Sequence, residues 1–333
     1  MLGKFARSRL THLALTMCLI GLIPEISLAW GSSGHKIIAI IAARYLNPRA
    51  KEEVRQLSVK EDMISAMISA STWADEIRLY RPETSSWHFV DFPQNATAYV
   101  PSRDCIGTSQ GDCLVATIQR FIRTLKAEKV MREDKSEPLK FLIHLIGDLH
   151  QPLHCGYKDD RGGNTIRVFF PTPGVVTSLH SAWDAPMIER AMTAYGQNES
   201  KYSDYLNNQY GAFAKEVDGQ VSTSKAPETW ISGWAFESYC IAVRSAYNLN
   251  NKLLVEAPCQ AAGVLRPKPL LRLTATQHHA IASTSDFQKA PASRPVDISG
   301  QYYRTNLPVL EQQLVKAGIR LARVLNSIYP EKR

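Results

Sequence analysis

Beyond residue 29 this 333-residue chain has no apolar run long enough to cross a bilayer, which excludes a helical membrane protein for the remainder. Alternating strand signal is almost missing as well: only residues 165–170, after Gly162-Gly163, read as a convincing strand, half of a small hairpin. That scarcity excludes an all-β fold. Cysteine is sparse, six in all, and its spacing does not match a zinc finger. No internal repeat is visible, so a solenoid is excluded too. Neither sign of charge dominates, with 39 Lys and Arg against 31 Asp and Glu. The net +8 suits a polyanionic partner, and equally a well-solvated surface.

What is present is ordinary globular material, 44% hydrophobic and 21% charged, enough for a large core. Residues 1–29 combine a basic start (Lys4, Arg7, Arg9), an apolar run over 13–23 ended by Pro24 and Glu25, and small Ser27 and Ala29. That order reads as a secretory signal cut after Ala29, with an oxidising destination for a soluble mature chain. Cys18 leaves with the signal. Cys105 and Cys113 flank the turn-like stretch IGTSQG and are expected to pair; Cys240 with Cys259 is the weaker second pairing, and Cys155 is left as a buried free thiol.

Helical periodicity dominates the rest. HKIIAIIAARYL from His35 gives an apolar helix stopped by Asn47-Pro48, and another starts at Asn47 and runs to Leu57. Further helices are expected over residues 113–128, 138–150, 180–195, 229–249 and 307–328. Residues 256–295, rich in Ala, Pro, Ser and Thr, read as a surface insertion. The fold class is mainly α, a single helical domain with a small β-hairpin.

Histidine and aspartate carry the chemistry. In FLIHLIGDLHQPLH, His144 and Asp148 stand four apart and so share a helix face, whereas His150 lies off that face and suits a structural hydrogen bond. Pro152 breaks the helix before His154. LHSAWD repeats the geometry with His180 and Asp184. One such pair more often makes a hydrogen bond than a metal site. Two pairs, together with His35, Asp75 in WADEIR and His88 with Asp91 in WHFVD, are a different matter. Mixed His and Asp donors are what Zn²⁺ accepts, and several such sites close together suit cleavage of a phosphodiester. His278-His279 sits in the loose segment and reads as solvated.

Taken in order, WGSSGH, WADEIR, WHFVD, HLIGDLHQPLH, DRGGN and LHSAWD resemble the S1/P1 nuclease family, which shares a fold with bacterial zinc phospholipases C. The likeness resumes in ESYCIAVRSAY and KAGIRLARVLN. It implies one helical domain with three zinc ions at the bottom of a cleft. Asp75, His88, His144 and Asp148 would hold one ion. The α-amine and carbonyl of Trp30, with His35 and the bridging Asp148, would hold its neighbour, and His154, His180 and Asp184 the third. Asp75 would orient or deprotonate the attacking water and Arg78 would sit near the scissile phosphate. Phe89 would stack on a base, with Asp91 and Asn164 on the base edge. The implied substrates are single-stranded DNA, RNA and nucleotides, cut to 5′-phosphates by a secreted monomer without stable membrane insertion, with 3′-nucleotidase activity as an added expectation. The family's longer-range disulfide lacks a first cysteine here, and the 256–295 segment is longer than the family pattern. A zinc phospholipase C is the alternative; it usually offers Glu where Asp184 stands. A zinc-stabilised binding protein would need neither Asp75 nor Arg78.

Overall fold

The computed structural model describes residues 30–58, 60, 62–105, 112–219, 226–249, 259 and 294–331. The leader expected over residues 1–29, with Cys18, lies outside them, as does the segment 256–295 with His278 and His279, apart from Cys259, Arg294 and Pro295.

The first helix, α1 (Ser32–Tyr45), is apolar on every side: Ile37, Ile38, Ile40 and Ile41 are all buried. A helix of that kind belongs at the centre of a domain. It packs against α3 (Met63–Arg78), α6 (Ser136–Leu149), α9 (Glu199–Gly219) and α11 (Gln301–Ile328). Between these, α2 (Pro48–Leu57) starts where Asn47 accepts the Ala50 N–H at 2.7 Å, with Pro48 in the first turn. α3 starts the same way, with Asp62 accepting from Ser65 N at 2.8 Å. A short α4 (Pro101–Asp104) precedes α5 (Leu114–Lys126), which packs on α6 and on α10 (Glu228–Ile241).

Three of these helices, α3, the short α4 and α9, were not among those expected. In α3 the buried positions Ala66, Met67, Ala70 and Ala74 keep helical spacing, but small side chains make the apolar stripe faint. The single helix expected over 180–195 is two, α7 (Leu179–Asp184) and α8 (Pro186–Met192). Ala185 leaves helical geometry (φ −136°, ψ −59°) ahead of Pro186, which has no N–H to continue the ladder. α11 begins at Gln301, earlier than the expected 307, and runs through Pro308. Burial of Tyr302, Tyr303 and Leu310 around that proline offsets its lost hydrogen bond.

The expected hairpin is there and is part of a small sheet. β1 (Arg167–Phe169) pairs antiparallel with β2 (Val176–Ser178), Arg167 opposite Ser178, and parallel with β3 (Val296–Asp297), Val168 opposite Val296. β2 feeds straight into α7, whose first N–H groups are capped by Ser178. Cys105–Cys113 and Cys240–Cys259 form disulfides and Cys155 is free and buried, as expected. Among the described residues no helix is long and apolar enough to cross a membrane.

Candidate metal centre

Five pieces of chain converge at one end of α6. Trp30, fully buried, donates its indole N–H to Gly147 O at 2.8 Å, and Gly31 N donates to Asp184 O at 2.6 Å, so the start of α1 is fastened between α6 and α7. His35 reaches α6 across Gly147: a Cβ there would lie 2.8 Å from His35 Nδ1, so only glycine lets the two helices meet at this level. His35 then stacks on His144, centroids 3.8 Å apart. Asp75 comes from the last turn of α3. The segment after the 3-10 turn Pro82–His88 runs beside the one after α6, through Val90 N to His154 O and Phe92 N to Gly156 O, both 2.9 Å.

The ring and carboxylate atoms fall into three groups, each with donor atoms within 4.8 Å of one another: His35, His144 and Asp148; Asp75, His88 and His144; His154, His180 and Asp184. Asp148 ties the first two together. Its Oδ1 lies 3.2 Å from His35 Nε2, and its Oδ2 lies 2.9 Å from His88 Nδ1 and 3.2 Å from His144 Nε2. Arg78, one turn along α3, sits 3.7 Å from Asp75 Oδ1. All eight His and Asp residues that the sequence nominated as ligands are therefore brought together, and Trp30 lies against them.

Two observations fit these groups to metal ions. Buried polar atoms that make no hydrogen bond are concentrated here: both ring nitrogens of His35, Asp75 Oδ1, His88 Nε2, Asp148 Oδ1 and His154 Nε2. Such atoms are costly unless a cation takes their lone pairs. Second, a backbone carbonyl can only accept, and it fixes the ring beside it. His144 Nδ1 donates to Ser71 O, His154 Nδ1 to His88 O and His180 Nδ1 to Gly162 O, each at 2.7 Å. Each ring thus turns its Nε2 lone pair into the cluster, the arrangement usual for metal-ligating histidine.

The electrostatics agree. Burial lowers the His35 pKa, with His144 adding to the effect, and takes His88 down to about 4, so both are neutral. Burial also lowers His180. Burial would raise Asp148, but His144, His35 and His88 hold it well below the usual carboxylate range. His144 resists burial and rises to about 9 because Asp148 and Asp75 favour its charged form; a cation in the same place competes with that proton. His150, by contrast, donates Nδ1–H to Ile146 O at 2.8 Å and accepts from Arg320 at 3.1 Å, the structural role expected of it.

The turn DRGGN positions the third group. Gly162 has φ +63°, and a Cβ there would lie 2.3 Å from Leu153 O, while its own carbonyl orients His180. Replacing Gly162 by Ala is expected to cost about 1–2 kcal/mol from the left-handed backbone alone, and more from the clash. Both a lower Tm and weaker retention of one metal per chain on dialysis check it. Phe89 is 40% exposed beside this centre, Asp91 is half-buried, and Asn164 donates its amide to Arg161 O at 2.8 Å in the same turn.

A mainly helical domain that gathers three buried His and Asp groups, two of them joined by a shared carboxylate, defines a multinuclear metal-dependent hydrolase. Comparison with known proteins supplies the particular family. The S1/P1 nuclease family matches residues 30–330, and the chain belongs to it. It is 26% identical to Endonuclease 2 of Arabidopsis thaliana over 322 residues, 95% of each chain. It is 27% identical to Nuclease S1 of Aspergillus oryzae, covering 92% of this chain and 94% of that one, and 27% identical to Nuclease P1 of Penicillium citrinum, covering 90% and 98%. The protein is a nuclease and nucleic acid is its substrate. The family is zinc-dependent, and the three groups here can hold three ions.

Proposed function

We propose that this nuclease is a secreted monomeric endonuclease that cuts single-stranded DNA and RNA to 5′-phosphate products, and that it also releases phosphate from 3′-nucleotides. The observation that carries the reading is the exposed Phe89 ring, one residue from His88 in the metal cluster. A base stacked on an open ring is accepted whatever its identity, and it must be unpaired to reach the ring. Asp75, His88, His144 and Asp148 are assigned to one zinc, Trp30, His35 and Asp148 to the second, and His154, His180 and Asp184 to the third. Bound zinc supplies Lewis acidity toward the phosphate and the attacking water. Asp75 orients or deprotonates that water, and Arg78 offsets charge on the phosphate. As the water oxygen bonds to phosphorus the bond to the 3′-oxygen breaks, and that oxygen takes a proton from solvent to leave as a free 3′-hydroxyl. Cleavage of residues 1–29 after Ala29 delivers the domain that begins at Trp30.

Phe89→Ala is the direct test. Stacking contributes about 1–3 kcal/mol per base, so KM for a single-stranded oligonucleotide should rise about 5- to 150-fold with zinc content unchanged. An unaltered KM would return Phe89 to a packing role. Running the same enzyme on phosphatidylcholine vesicles separates the nuclease from the phospholipase reading.

Asp91 adds a pH signature. Burial and the neighbouring Asp160 push its carboxyl up to about 7. Below that pH the group is neutral and can both donate and accept at a base edge; above it, it only accepts. Asparagine offers the same donor and acceptor at every pH. Wild type and Asp91→Asn should therefore show similar KM values at pH 5.5 and separate as pH rises through 7. Parallel profiles across that range would refute the assignment.

A further inference from the structure

We propose that Gln151 is a positioning residue that sets the zinc affinity of the third group, His154, His180 and Asp184. The inference rests on the zinc assignment just given.

Gln151 is fully buried, and each of its polar groups is spent within the site. Its backbone N–H donates to Asp148 O at 3.0 Å and its carbonyl accepts from His154 N at 3.0 Å. Its side-chain Oε1 accepts the Leu153 N–H at 2.6 Å, capping the 3-10 turn Pro152–Cys155 that carries His154. Its Nε2 donates to Asp184 Oδ1 at 2.6 Å. The Leu153 N–H fixes which way the amide faces, since a donor there must meet the amide oxygen; the NH₂ is therefore turned toward Asp184.

That arrangement has a chemical consequence. The N–H held on Asp184 Oδ1 fixes the plane of the carboxylate and takes electron density from that oxygen. Oδ2, 3.4 Å from His180 Nε2, is left as the stronger donor to a cation. One side chain thereby links the turn bearing His154 to the helix bearing Asp184, so two of the three donors are held in register by a single amide. Partners of this kind typically change metal affinity 10- to 100-fold when removed.

The test uses the mature protein, zinc content by mass spectrometry and a chelator competition that resolves the weakest ion from the other two. Gln151→Met has nearly the same length but no donor and no charge. It should lose one zinc selectively, its dissociation constant rising 10- to 100-fold, while the pair bridged by Asp148 keeps its parental affinity. If that variant fails to fold, Gln151→Glu decides, because it keeps an acceptor for Leu153 N–H and sets a second carboxylate against Asp184 in place of the donor, so the affinity of the third ion alone should change. Three ions at affinities within twofold of the parent overturn the proposal, and so does an equal loss across all three, which is what a merely structural role predicts. The parent is the separate control: if it holds fewer than three zinc ions, the assignment beneath the proposal has failed instead.

Discussion

Asp148→Asn is expected to lower zinc content from three ions to about one per chain and to reduce single-strand cleavage by at least a factor on the order of 10²–10³. Asp148 is wholly buried, with each oxygen facing a different group, Oδ1 toward His35 and Oδ2 toward His88 and His144. Two cations held by these two groups would repel each other, and the shared carboxylate would be the anion between them. Asparagine has nearly the same shape but no charge, and it must turn an NH₂ toward nitrogens whose lone pairs are meant for metal. The third group does not use Asp148 and should keep its ion. Elemental analysis beside a digestion assay settles it: near-normal turnover with three zinc ions would falsify the bridging role.

Almost as large an effect is expected at Trp30, just ahead of α1. A protein that begins at Trp30 should hold one more zinc, and cut single strands far faster, than one that begins a single glycine earlier. A free α-amine has an ordinary pKa of about 7.7–8.0 and can lose its proton to donate a lone pair. An amide nitrogen cannot, because its lone pair is delocalised into the carbonyl. The anchoring of Trp30 supports this reading: its indole is tied to Gly147 O, one residue before Asp148, and Gly31 N to Asp184 O. The chain at Trp30 and Gly31 is thus pinned to the backbone of the two segments that carry Asp148 and Asp184. Equal zinc content and equal rates in the two proteins would leave Trp30 as a buried anchor only.

Two pairs of the candidate site were legible from spacing because their geometry is local, whereas the grouping of His35, Asp75, His88 and His154 with them came through the family resemblance. His144 with Asp148 and His180 with Asp184 each stand one helical turn apart, so periodicity alone puts each pair on one face. What joins the pairs was not legible. The hydrogen bond from Gln151 to Asp184 spans 33 residues, and the approach of His35 to α6 depends on the missing side chain of Gly147. Neither leaves a periodic trace. The same limit applies to α3, whose buried stripe is mostly alanine, and to β3, two residues that pair with β1 from more than 120 residues away. The ions Glu237, Lys316 and Arg320, half-buried to buried beside His150, had no local signal either, since each reads alone as an exposed charge.

Those ions belong to a brace. α11 supports the metal-bearing segments from behind, through Arg320 on His150, Gln313 Nε2 on His150 O at 3.1 Å, and Tyr302 accepting the Trp183 indole N–H at 2.8 Å. The proposed ligands all lie between residues 30 and 184, but the brace is not made until residues 301–328. A ribosome adding about 5–20 residues per second therefore releases the whole ligand set roughly 6–25 seconds before the helix that holds it in place. The contacts of α11 with His150 and Trp183 are accordingly the last to join the site, made only once the C-terminal helix has been synthesised.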